Sequence, residues 1–152
     1  MRIEDDGDDD VVSSYASPYS ARAGRPTPSC GSLHTIMAGL ACREVSPAAW
    51  KILDWHASDF VTIPDATAIE AMRLLARGDH DVLIVCGESA AGGMGVLIAA
   101  AADPALRTAL ALDGRSTVVL FGGEGATDPD VYTRLVGTSP TTCSTAKRST
   151  TN

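Results

Sequence analysis

The sequence predicts an α/β unit with a mainly parallel sheet, and two observations carry that prediction. Val82-Leu83-Ile84-Val85-Cys86 and Thr117-Val118-Val119-Leu120-Phe121 are continuous apolar runs bounded by polar or glycine residues. Runs of that length suit strands covered on both faces. Segments with helical spacing alternate with them through short links, which is the order of strands joined by crossover helices.

In chain order, Ser46 followed by Pro47 is a helix start, a capping hydroxyl with proline in the first turn. Trp50, Leu53 and Ala57 then recur at helical spacing toward Phe60. Phe60-Val61-Thr62-Ile63 reads as a short strand that Pro64-Asp65 stops. Ile69, Met72 and Leu75 mark a second helix that ends before Gly78. After the strand Val82–Cys86, Gly87 to Gly95 is a small-residue turn leading into an alanine-rich helix, Val96–Ala102. A short helix follows Asp103-Pro104. The strand Thr117–Phe121 ends in Gly122-Gly123-Glu124-Gly125, and Thr127 to Val136 is a final helix with Pro129 in its first turn.

The ends differ from this body. Residues 1–30 hold an acid run and then Ser, Pro, Gly and Arg without period; residues 138–152 hold nine Ser or Thr in fifteen positions. Neither buries enough apolar surface to offset chain entropy, so both are expected to be disordered around one domain over residues 31–137. Net charge is -7, of which the first twelve residues carry -5 and the other 140 residues -2. A nearly neutral body has no basic stripe for phosphate backbones, which argues against nucleic acid as a partner. No apolar run approaches about 18 residues, so no membrane partner is expected, and the opening Met1–Asp6 lacks a signal peptide's pattern. A cytoplasmic protein is expected. Cys30, Cys42, Cys86 and Cys143 are scattered, and His34, His56 and His80 have no ligand spacing, so no metal site is expected.

Two glycine-rich turns follow the apolar runs, where α/β sheets place ligands. Gly87 and Gly92 have the spacing of a phosphate loop, but Gly93-Met94 stand where Lys and Ser/Thr are required. Gly87-Glu88-Ser89-Ala90-Ala91 approaches the elbow of serine hydrolases, yet every histidine precedes Ser89 and that class places it after. Hydrolysis through Ser89 is therefore the weaker alternative. Among single residues, His56 and His80 read as surface or helix-end residues, Cys86 as a small buried hydrophobe, and Trp50 and Trp55 as core or edge-of-core. Glu88 differs, because a carboxylate between a buried strand and glycines needs partners.

Longer stretches carry a resemblance. Thr35 to Cys42, Ser46 to Leu53, Ala71 to Ala76, Gly87 to Ala91 and Glu124 to Pro129 follow one another in an order and spacing that resemble the C-terminal part of diaminopropionate ammonia-lyases. The resemblance covers roughly Ala21 to Gly137. It implies part of the three-layer parallel-sheet architecture of the tryptophan-synthase-β-like enzymes of fold type II. It also implies pyridoxal 5'-phosphate as cofactor, an amino-acid substrate in the intact family, and elimination of ammonia from 2,3-diaminopropionate to give pyruvate. Glu88 would lie beside the cofactor ring, and Gly122 and Gly123 near the pyridine nitrogen, where the family usually has a Ser-Thr pair. A hydroxyl there can hydrogen-bond the nitrogen; glycine cannot do so through a side chain.

The chemistry also needs a lysine that holds the cofactor covalently. Only Lys51, on an amphipathic helix, and Lys147, in the tail, exist. The family's reactive lysine and phosphate-cradling loop belong to a region N-terminal to the matched one. The chain therefore reads as a truncated homologue, inactive alone, with no catalytic residue of its own and with Glu88, Gly122 and Gly123 as cofactor-binding positions. The alternative is a non-catalytic remnant or a subunit completed by a partner, either a second copy or a complementing N-terminal chain.

Overall fold

The structure, a computed structural model, describes residues 16–29, 33–79 and 82–141. The acidic leader, Cys30, His80, Cys143 and Lys147 lie outside the described residues. Helix α1 (Ala16–Ala23) falls in the stretch expected to lack structure, and the completely buried Ser20 ties it down. Its Oγ accepts from Thr27 N at 2.9 Å and donates to Thr27 O at 3.2 Å.

Helix α2 (Pro47–His56) starts where the sequence places it, with Ser46 Oγ accepting from Ala49 N at 3.4 Å. Trp50 is its one buried residue, stacked on Phe60 with ring centroids 6.5 Å apart. Helix α3 (Asp65–Arg77) buries Ala68, Ala71, Met72 and Ala76, a spacing that keeps one face inward. Helix α4 (Gly92–Ala102) packs across it, followed by α5 (Pro104–Ala109). Helix α4 begins four residues before the predicted Val96, because a pattern reading assigns Gly92 and Gly93 to a turn. Tertiary packing overrides that preference: a Cβ on Gly95 would lie 3.4 Å from Thr67 Cγ2 and 3.5 Å from Thr67 O of α3, so this turn of helix lies directly against that helix. Helix α6 (Pro129–Val136) is capped by Asp128 Oδ1, which accepts from Val131 N at 2.9 Å. Its C-terminal end is fastened to α3 by Arg73 Nε donating to Leu135 O at 2.8 Å.

The main core joins Ala71, Met72 and Ala76 of α3 to Cys86, Ala91 and Tyr132. A smaller cluster unites Met37, Ile63 and Ala68, with Ile36 and Val96 packed against it. Asp65 holds that cluster closed, accepting from Thr35 Oγ1 at 2.5 Å and from Ile36 N at 3.0 Å.

The predicted α/β class, with part of a three-layer parallel sheet, is corrected by these observations. Among the described residues every regular element is helical, and none of Phe60–Ile63, Val82–Cys86 or Thr117–Phe121 is a strand. The physical reason lies in what defines a strand. An apolar run has the propensity, but the ladder exists only against a neighbour. Ile84 N instead donates to Leu75 O at 2.9 Å, which ties the first run to the end of α3. No described helix is long and apolar enough to cross a membrane, and no described group of His, Cys, Asp and Glu could hold a metal ion.

Candidate functional site

The first glycine-rich turn links the run 82–86 to α4. Its carbonyl at Gly87 accepts from Ala91 N at 3.0 Å, and Gly87 N donates to Glu124 O at 3.1 Å. That second bond brings the turn 87–91 against the turn 122–125. The approach is close enough that a Cβ on Gly87 would sit 2.4 Å from Gly125 O and 2.8 Å from Glu124 Cγ. Only glycine admits both the bond and the overlying glutamate.

A third segment closes on the same place. The short 3-10 turn Ala38–Leu40 donates Gly39 N to Ser89 Oγ at 2.9 Å. The elbow-like serine is thus an acceptor that pins two loops together, while His34 and His56 are exposed. Beyond Gly39 and Leu40 a largely apolar cavity of about 400 Å³ opens, lined also by Leu53, Phe60 and Val61, with Cys42 and Glu44 among its walls.

Glu124 is the most constrained polar group of the cluster. Its Oε1 accepts from Thr127 Oγ1 at 3.4 Å, whereas Oε2 is buried with no hydrogen-bond partner among the described residues. Burial raises the Cys86 thiol pKa above its usual value of 9.0, and the neighbouring Glu124 charge adds to the rise. Cys86 is therefore a protonated, inert packing group at pH 7, in keeping with the small buried hydrophobe the sequence predicts.

The residues singled out from sequence fall in this cluster. Glu88 is half-buried in the first turn. Gly122 is exposed and faces Ala90, with 3.9 Å between the Ala90 Cβ and the place a Cβ on Gly122 would occupy; Gly123 is exposed, with nothing within 4 Å of the place its Cβ would occupy. Glu124 was missed. Its signal was present, an acid between Gly123 and Gly125 shortly after an apolar run, close to the setting that singled out Glu88 between a buried run and glycines. Asp65 and Thr35 were missed too, and no local signal marks a pair 30 residues apart.

A family model described as pyridoxal-phosphate dependent enzyme matches residues 7–123. The chain belongs to that family. Within it, the chain is 40% identical over 110 residues to the diaminopropionate ammonia-lyase of Escherichia coli strain K12, a match spanning 70% of this chain and 28% of the relative. The Salmonella typhimurium enzyme is 36% identical over 118 residues, spanning 74% and 29%. The crystal structure of the Escherichia coli enzyme in complex with an aminoacrylate-PLP azomethine intermediate superposes with a TM-score of 0.70 at 37% identity, covering 78% of this chain and 30% of that one. The D-serine complex gives 0.70 at 33% identity, covering 81% and 31%. The chain thus spans less than a third of the family members it matches.

The residues present do not make a complete cofactor site. A pyridoxal-phosphate dependent enzyme holds its cofactor on a lysine, and neither glycine turn contains one. The one lysine among the described residues is Lys51, exposed on α2. Neither turn carries an arginine for a phosphate group. What the cluster offers is bare backbone at Gly122 and Gly123 and two carboxylates, Glu88 and Glu124.

Proposed function

We propose that this chain is a homologue of the diaminopropionate ammonia-lyases that carries two cofactor-facing turns and does not by itself eliminate ammonia from 2,3-diaminopropionate. Glu88, Gly122 and Gly123 are the cofactor-facing positions in this reading. The observation that carries it is the bond from Gly87 N to Glu124 O, which joins the two turns into one glycine-lined surface that holds no lysine. The 40% identity to the Escherichia coli lyase supports the ammonia-lyase reaction class and an amino-acid substrate for the intact enzyme.

A titration of the isotope-labelled chain with pyridoxal phosphate, followed by amide NMR, tests this. Expected are shifts at 87–91 and 122–125, with no lysine-bound absorbance band and no borohydride-fixed adduct at Lys51. Shifts confined to other segments overturn the assignment of the turns. A stoichiometric adduct lost on Lys51→Ala, accompanied by pyruvate formation, overturns the inactivity.

A further inference from the structure

A further cavity lies between α1 and the end of α2, and it carries charge that the fold does not use. Its volume is about 310 Å³, and Arg22, Trp50, Leu53, Asp54, Asp59 and Phe60 are among its walls. The chain leaves α2 at Ala57 in an extended conformation, and Phe60 returns to stack on Trp50 with an interplanar angle of 22°. Asp54 in the last turn of the helix and Asp59 just beyond it thereby line one space. No residue of the turns 87–91 and 122–125 borders it, so its occupancy is independent of the cofactor-facing reading.

Two features of the wall are unfavourable as they stand. Both carboxylates sit at the C-terminal end of α2, where the helix dipole and the last open carbonyls already place negative charge. Neither Asp54 nor Asp59 has a hydrogen bond or an ion pair among the described residues. Arg22 has an interaction of its own, and even counted in full it leaves the wall one negative charge in excess. This end of the helix selects a cation. Trp50 points to the rest of the ligand. It is only 7% exposed, and its indole N–H has no acceptor among the described residues. A buried indole N–H calls for an acceptor, and the cavity is the space that Trp50 borders. A cation alone cannot meet that need; a ligand that also carries a carboxylate can.

We propose that this cavity binds a small amino acid carrying a second amino group, its two ammonium groups paired with Asp54 and Asp59 and its carboxylate accepting from Trp50 Nε1. The volume lies at the lower end of the range for ligand pockets, which suits a molecule of this size.

The test is a calorimetric titration of the full chain with L-lysine, with norleucine and cadaverine as analogues that lack the side-chain amine and the carboxylate respectively. Expected is saturable one-to-one binding of L-lysine, with either analogue weaker by about fivefold or more. Trp55→Phe leaves Trp50 as the only tryptophan, and on that background the indole N–H resonance should shift in step with saturation. Asp54→Asn combined with Asp59→Asn should weaken binding about tenfold. Both side chains are exposed, so the double variant should fold as the parent does. Asp130→Asn, the same kind of charge change on the exposed first turn of α6, should leave binding unchanged. Four outcomes overturn the proposal. One is no saturation by about 10 mM L-lysine. Another is binding indifferent to the double substitution. The third is binding that leaves the Trp50 indole resonance in place, which would put the ligand elsewhere. The last is equal affinity for norleucine or cadaverine, which would remove the second amino group or the carboxylate from the recognition.

Discussion

Helix α3 buries Ala71 and Met72 completely, whereas the run 117–121 leaves Phe121 92% and Val119 71% exposed, although by hydropathy the second stretch is the more apolar. The difference lies in what each can do alone. A helix satisfies its own backbone and needs only one apolar face covered, and α4 and α6 cover it. An apolar run outside a helix needs neighbours for its backbone and for both of its faces. Hydrophobicity therefore marks surface that can be buried, while burying it takes a second segment packed against it.

That contrast can be broken or sharpened by substitution. Met72→Ala removes a completely buried side chain from the α3 core and should cost about 2–5 kcal/mol, read from urea denaturation. Gly87→Ala drives a Cβ against Gly125 O and Glu124, so a loss of about 1–3 kcal/mol is expected, together with amide shifts at 122–125. Ser89→Ala removes the acceptor for Gly39 N and should cost about 1 kcal/mol. A fluorophosphonate probe should leave Ser89 unlabelled in the parent chain; stoichiometric labelling would revive the hydrolase reading.

The Cys86 thiol provides a pH test of how well the core is sealed. Its folded pKa lies above the ordinary 9.0, so the stability tied to the neutral thiol is complete below pH 9. Above pH 9 the unfolded chain releases that proton first, and stability falls as pH rises toward the folded value. At pH 8, peptide mapping after brief iodoacetamide treatment should find the exposed Cys42 alkylated well before the buried Cys86. The smallest effect is expected on the other side of the comparison. Phe121→Ser should change the stability of the isolated chain by less than about 0.5 kcal/mol while lowering binding of a hydrophobic dye.

The candidate site was partly legible before the structure. Glu88, Gly122 and Gly123 fall in turns that do come together, and the resemblance that singled them out rests on motifs spread over most of the chain. The bond that unites the turns was not legible, because Gly87 and Glu124 lie far apart in sequence and neither residue type announces a partner. Glu124, whose Oε2 is buried without a hydrogen-bond partner among the described residues, was missed although its place between two glycines is a local signal.

By itself the sequence determined the features that are local. Ser46 and Asp128 cap their helices through bonds to amides two or three residues on, and the lyase kinship is written in the order of residues. Only the tertiary structure decided the rest: that α4 starts at Gly92, that Asp65 clamps Thr35 and Ile36, and that the apolar runs 82–86 and 117–121 are not strands. Each of these depends on a partner distant in sequence, because packing and ladder formation are properties of pairs of segments, and no local pattern records whether the second segment is in place.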